Sequence, residues 1–194
     1  MADTPSPNPT SGVPWPAPGM IAPSPDALPP ESAYLRPTVA SALAEPLIDG
    51  PYVGEAVLEL TAGGGTEFRA VAASGHELII DTSPEHGGAS AGFEPLELLA
   101  VALGGCTALD VIAILRKKRQ DVRGYRLRVA TEQEQTHPRV YRRFVVLHIV
   151  EGAGLDPQAV ARAIELSALK YCPVGAMLAQ AAQITHEFRI IPTD

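Results

Sequence analysis

Pro95-Leu-Glu-Leu-Leu-Ala-Val-Ala-Leu-Gly-Gly-Cys-Thr-Ala-Leu-Asp110 is the stretch on which the fold turns. Proline suits the first position of a helix, where its missing N–H is not needed. Beyond it Leu99, Leu103, Cys106, Asp110 and Ala113 recur at alternating steps of four and three, the spacing of one helical stripe. The basic run Arg116-Lys-Lys-Arg119 complements the negative end of the helix dipole and predicts where the helix stops. Residues 96–115 are the most apolar of the chain, yet Glu97, Asp110 and the pair Gly104-Gly105 disfavour an isolated membrane span. We read the segment as a helix buried in protein.

Both flanks of this helix alternate. Upstream, Glu55-Ala-Val-Leu-Glu-Leu60 has the period of a half-buried strand, and Gly63-Gly-Gly65 supplies a turn. Residues 68–73 and 78–81 read as a second and a third strand around a turn at Ser74-Gly75. Residues 83–93, with three glycines and a proline, read as a loop. Downstream, Tyr125-Arg-Leu-Arg-Val-Ala-Thr131 and residues 141–149 predict two long antiparallel strands joined near His137-Pro138. Asp156-Pro157 is an N-cap followed by a first-turn proline, opening a helix that buries Val160, Ile164 and Ser167. Cys172-Pro173 repeats that signal, predicting a second helix with Val174, Met177 and Ala181 inward. Residues 184–191 close the chain as a strand. The resulting order, βββ-α-ββ-αα-β, is an α+β fold with helices segregated onto sheet.

The rest of the composition bounds the function. The 194 residues are 46% apolar, enough for one sizeable core, and carry a net charge of -7. That charge argues against nucleic acid and against an anionic membrane, which both need a basic face. Thirteen of the 19 prolines fall within the first 51 residues. Residues 1–50 are therefore expected to form a proline-rich, flexible extension, and residues 51–194 the domain. No secretory signal is visible in the sequence, so the expected compartment is the cytoplasm.

Two cysteines exclude a disulfide scaffold but allow one bridge, one redox pair or two inert thiols. Cys106 lies mid-helix on the apolar stripe, where spacing alone reads as a small core hydrophobe. Cys172 precedes a helix-opening proline, the position where free N–H groups and the helix dipole favour a thiolate. An unperturbed thiol is only about 3% ionised at pH 7, so a modest fall in pKa would matter there. The five histidines show no ligand spacing, and neither a metal nor a cofactor is expected from them.

The stretch quoted at the outset resembles the central-helix signature of the OsmC/Ohr family, and Lys170-Tyr-Cys-Pro-Val174 resembles that family's second cysteine motif. Ser74-Gly-His76, Arg119-Gln-Asp-Val122, Ala161-Arg-Ala-Ile-Glu-Leu-Ser167 and Ile184-Thr-His186 resemble the wording of its YhfA-type subgroup. The resemblance implies an intertwined homodimer with two sites at the interface. It implies that Cys106 attacks an organic hydroperoxide, that Cys172 resolves the product, and that a dithiol or lipoylated protein restores both. It also implies an arginine and a glutamate beside the attacking thiol. Leu96 occupies the position of that glutamate, and Gly64-Gly65-Thr66 the turn that carries the arginine. Glu97 would point about 100° away around the helix.

The function expected from the resemblance is thus thiol-dependent reduction of hydroperoxides, with Glu97, Arg69 and His76 as possible auxiliaries. Leu99, Leu103 and Met177 would line a pocket for a small apolar hydroperoxide or lipid-like ligand. The alternative is a binding protein that uses the same apolar pocket without turnover. Because residues 1–50 are read as lying outside the packed core, deleting them is expected to leave the melting temperature nearly unchanged. A large drop in a thermal melt would move the domain boundary into the extension.

Overall fold

The computed structural model describes residues 56–63 and 65–194, so the expected proline-rich extension lies outside the described residues. Strands β1 (Ala56–Leu60), β2 (Phe68–Ala72) and β3 (Glu77–Ile80) form one sheet in that order. β2 and β3 are antiparallel, with Phe68 opposite Ile80 and Val71 opposite Glu77. Helix α1 (Pro95–Lys117) follows, then β4 (Asp121–Gln133), β5 (Tyr141–Ala153), α2 (Pro157–Leu166), α3 (Pro173–Leu178) and β6 (Gln183–Pro192). The second sheet runs β4-β5-β6, antiparallel between β4 and β5 and parallel between β5 and β6. A parallel return needs a long crossover, and α2 with α3 supplies it. The observed order is the expected βββ-α-ββ-αα-β.

The loop between β3 and α1 is built on a buried carboxylate that alternation patterns do not reveal. Asp81 accepts hydrogen bonds from Thr66 Oγ1 at 2.7 Å and from the backbone N–H groups of Thr82, Ala89 and Ala91 at 2.8, 2.9 and 3.0 Å. The Ala91 amide, the Thr66 hydroxyl and the Ala89 amide hold its carboxyl well below the usual carboxylate range. The loop closes so tightly that a Cβ at Gly88 would meet Thr82 O at 2.1 Å, and one at Gly92 would meet Ile79 O at 2.3 Å. Within it, residues expected to be irregular form one 3-10 turn, Pro84–His86.

Helix α1 buries Leu103, Gly104, Thr107, Val111 and Leu115. The buried face therefore sits beside the expected stripe: Cys106 and Asp110 lie at its edge, while Leu99 and Ala113 are exposed. Apolar residues cover almost the whole circumference of α1, so periodicity does not select a face, and the neighbours do. Val111 and Leu115 pack with Val150, Val160, Ala163 and Ile164; Leu103 packs with Phe144, Val146, Cys172 and Ala182. Much of the remainder is uncovered in the single chain: Leu109 is 72% exposed and Val101 55%. Met177 and Ala181, expected inward, are also exposed. Helix α3 ends at Leu178, and Leu178 and Ala182 turn inward in their place.

Strand β5 points Phe144, Val146, His148 and Val150 to one buried face with the two-residue period of a strand. His148 interrupts that apolar row and is completely buried. Its Nδ1 lies 2.6 Å from Tyr125 Oη, and its Nε2 lies 3.1 Å from Nδ1 of His186 on β6. A neutral imidazole satisfies both bonds, one as donor and one as acceptor. Burial first, and the His186 ring second, push His148 down to about 4, and burial also lowers His186.

Both bases bind protons more weakly folded than unfolded, so the unfolded chain takes up more protons below the normal histidine range. Stability is expected to be fully present above about pH 6.5 and to fall as pH drops towards 4, by up to about 3 kcal/mol from His148. Urea midpoints at pH 7.5, 6 and 5 check this, with His148→Gln flattening the slope. A midpoint independent of pH would mean that these rings are not held neutral.

A thiol pair at the meeting of two helices

Three local features bring the candidate residues together. The four-residue step from Cys106 to Asp110 puts both on one edge of α1. After α2 the chain makes a π turn, Ser167–Tyr171, closed by Cys172 N–H donating to Ser167 O at 3.0 Å. Pro173 then opens α3, leaving Cys172 at its N-cap, as the Cys-Pro signal predicts.

The two sulfurs, both free thiols, lie 2.8 Å apart. That is inside their van der Waals contact, and a disulfide needs a further approach of less than about 1 Å. Cys172 is buried, and its Sγ accepts from the Gly175 backbone N–H at 3.2 Å and from Thr107 Oγ1 at 3.7 Å. Cys106 is half-buried and therefore the more accessible of the two. Asp110 accepts from Oγ of the fully buried Ser167 at 3.0 Å.

The electrostatics oppose a thiolate on Cys106. Desolvation first and the hydrogen bond with Cys172 second push the Cys106 thiol up to about 11 against the opposing pull of the Val174 amide, and the charges of Cys172 and Asp110 add smaller upward pushes. At pH 7 that leaves roughly one molecule in ten thousand ionised at Cys106.

The remaining sequence candidates do not join the thiols. Glu97 accepts the Glu94 backbone N–H at 2.9 Å in the first turn of α1. Arg69 is exposed on β2 and paired with Glu77. His76 lies in the β2–β3 turn with Nδ1 3.0 Å from Ser74 Oγ. Leu103 reaches the site from the core cluster that contains Cys172, whereas Leu99 and Met177 face outward. Thr107, Ser167 and Gly175 are the contacts that the sequence reading missed. A polar residue beside Cys106 and another on the apolar stripe of α2 were the available signals.

The OsmC-like protein family model matches residues 86–187, which include both cysteines and the whole of α1. The chain belongs to the OsmC-like family. It is 39% identical to Protein YhfA of Escherichia coli K12 over 127 residues, 66% of this chain and 92% of YhfA. A hypothetical protein from Aquifex aeolicus superposes with a TM-score of 0.64 at 27% identity, covering 74% of this chain and 100% of that one. An organic hydroperoxide resistance protein OsmC from Legionella pneumophila superposes with a TM-score of 0.53 at 13% identity, over 72% and 98% of the two chains. At that identity the Legionella likeness is one of fold.

Removing the carboxylate beside Cys106 removes one of the causes that raise its pKa. Asp110→Asn is therefore expected to speed alkylation of Cys106 by iodoacetamide at pH 8 about threefold, the effect of half a pKa unit. The rate is followed by peptide mass mapping of reduced protein in the presence of a chelator. An unchanged or slower rate would show that Asp110 does not act on the thiol electrostatically.

Proposed function

We propose that this chain reduces organic hydroperoxides, with Cys106 as the attacking thiol and Cys172 as the resolving one. The observation that carries this reading is the 2.8 Å separation of two free sulfurs that lie 66 residues apart in sequence. Inert core thiols have no need to face each other. The name of the Legionella protein associates this fold with hydroperoxide resistance, but the step to activity here rests on the thiols.

The chemistry balances as follows. Cys106, whose sulfur accepts from the Cys172 thiol, gives up its own proton to solvent. The Cys106 thiolate attacks the O–O bond, an S–O bond forms, and the departing alkoxide takes up a proton to leave as an alcohol. The peroxide gains two electrons and Cys106 becomes a sulfenic acid. Cys172 then attacks that sulfur, the S–S bond forms, the S–O bond breaks and water leaves. A dithiol or lipoylated protein returns both sulfurs to thiols by exchange.

A substrate pocket lined by Leu99, Leu103 and Met177 requires a second copy of the chain, because two of the three face outward in a single one. The exposed apolar side chains of α1 support an intertwined homodimer, since such a surface is costly to leave in water. The reading also places the protein in the cytoplasm, where thiols stay reduced, and gives residues 1–50 the role of an extension outside the chemistry. The rival reading, binding without turnover, draws on the high pKa of Cys106 and on the engagement of Arg69 and Glu97 elsewhere.

One equivalent of cumene hydroperoxide added to reduced protein, followed by intact mass and peptide mapping, separates the two. Rapid stoichiometric loss of two hydrogens with a Cys106–Cys172 link is the expected result, abolished in Cys106→Ser. Thiols that stay reduced, or oxidise slowly and unlinked, would overturn the peroxidase reading and leave a ligand-binding dimer.

A further inference from the structure

We propose that the reduced site is also a binding site for one thiophilic divalent cation of the zinc class, held by Cys106 Sγ, Cys172 Sγ and the Asp110 carboxylate. The sequence reading expected no metal, because it looked for clustered histidines. These ligands are instead assembled from one face of α1 and the N-cap of α3. Their donor atoms all lie within 4.8 Å of one another.

The donor set selects the ion. Two sulfurs and one carboxylate suit zinc, and magnesium and calcium prefer oxygen alone. Cys106 and Asp110 are four residues apart on a helix, the spacing that presents two ligands to one ion. Zn–S bonds of about 2.3 Å in a tetrahedral site put two sulfurs about 3.7 Å apart, so the thiols must open by about 1 Å. Cys106, at the edge of the buried face, can make that movement. The fourth position is left to water.

Two further features fit a metal site. The ligands are already oriented by outer hydrogen bonds: Ser167 Oγ to Asp110 at 3.0 Å, and the Gly175 N–H and Thr107 hydroxyl to Cys172. Such partners hold ligands in the geometry that a metal needs. The carboxylate also makes no close ion pair: among the described residues no salt bridge involves Asp110, although Lys117 and Lys118 line the cleft beside it. A divalent cation would pair it directly.

Binding releases two thiol protons, and the resulting site carries two thiolates, one carboxylate and one dication. No electrons move. A sulfur that is bound to metal is not free to form the S–S bond, so metal and oxidation exclude each other. The inference does not depend on the peroxidase reading.

The test uses the full, reduced chain freed of metal by chelation. Zinc is titrated against a chromophoric chelator and cadmium is followed by its thiolate charge-transfer absorption. The expected result is one ion per chain, about two protons released, and affinity reduced at least tenfold in each of Cys106→Ser, Cys172→Ser and Asp110→Asn. Circular dichroism of each variant checks that it is folded. The inference is overturned if there is no saturable binding at micromolar zinc. Binding that survives either serine variant, or is unchanged in Asp110→Asn, overturns it as well. Peroxide oxidation measured on the same sample separates the two claims, since a Cys106–Cys172 link can form in protein that binds no metal, and the reverse.

Discussion

Helix α1 is apolar on nearly every side, so what fixes it is the surface it meets. Strand β5 presents Phe144, Val146 and Val150, while α2 and α3 close over the other side with Val160, Ile164 and Cys172. Against that surface the helix turns Leu103, Thr107, Val111 and Leu115 inward. Burial of a large aliphatic side chain is worth about 1.5–3 kcal/mol, and truncating one in a packed core costs more because a cavity remains. Every other feature of the site follows from this rotation. It sets Cys106 at the edge of the core rather than in it, faces Asp110 towards Ser167, and brings Thr107 beneath Cys172.

The thiol site is a balance of opposed electrostatic effects. Cys172 sits at an N-cap, where its sulfur accepts from the Gly175 N–H and the Thr107 hydroxyl. Desolvation, a second sulfur at 2.8 Å and a carboxylate one turn away oppose negative charge on Cys106. The opposition matters because only a thiolate attacks peroxide or binds metal. A proton shared between the sulfurs, a cation between them, or an S–S bond each relieves the same crowding. The proposed peroxide chemistry and the proposed metal binding are in that sense two responses to a single constraint.

The residues expected to assist show how local demands compete with distant ones. Glu97 is used by the first turn of α1, whose backbone N–H groups have no partners inside the helix. Arg69 finds Glu77 diagonally across the β2–β3 pairing, two residues from its own register partner Ile79. His76 bonds Ser74 within its own turn. Each interaction is between neighbours in sequence or in register, so each was available to a reading of the chain. What a sequence does not reveal is that nothing among the described residues draws these side chains away from such partners towards Cys106.

The order of elements, the opening of α1 at Pro95, both helix starts at Asp156 and Cys172 and the family were all legible in the sequence. They rest on capping residues, two-residue alternation and contiguous motifs, which act over a few residues. The face that α1 buries, the inward turn of Leu178 rather than Met177, the closure of the loop on Asp81 and the insertion of His148 between apolar neighbours were decided by tertiary structure. So was the meeting of Cys106 with Cys172 and Asp110. These depend on contacts between segments that lie far apart along the chain, where an all-round apolar helix offers no periodicity to choose a face and where a polar residue reads as exposed until its partners arrive.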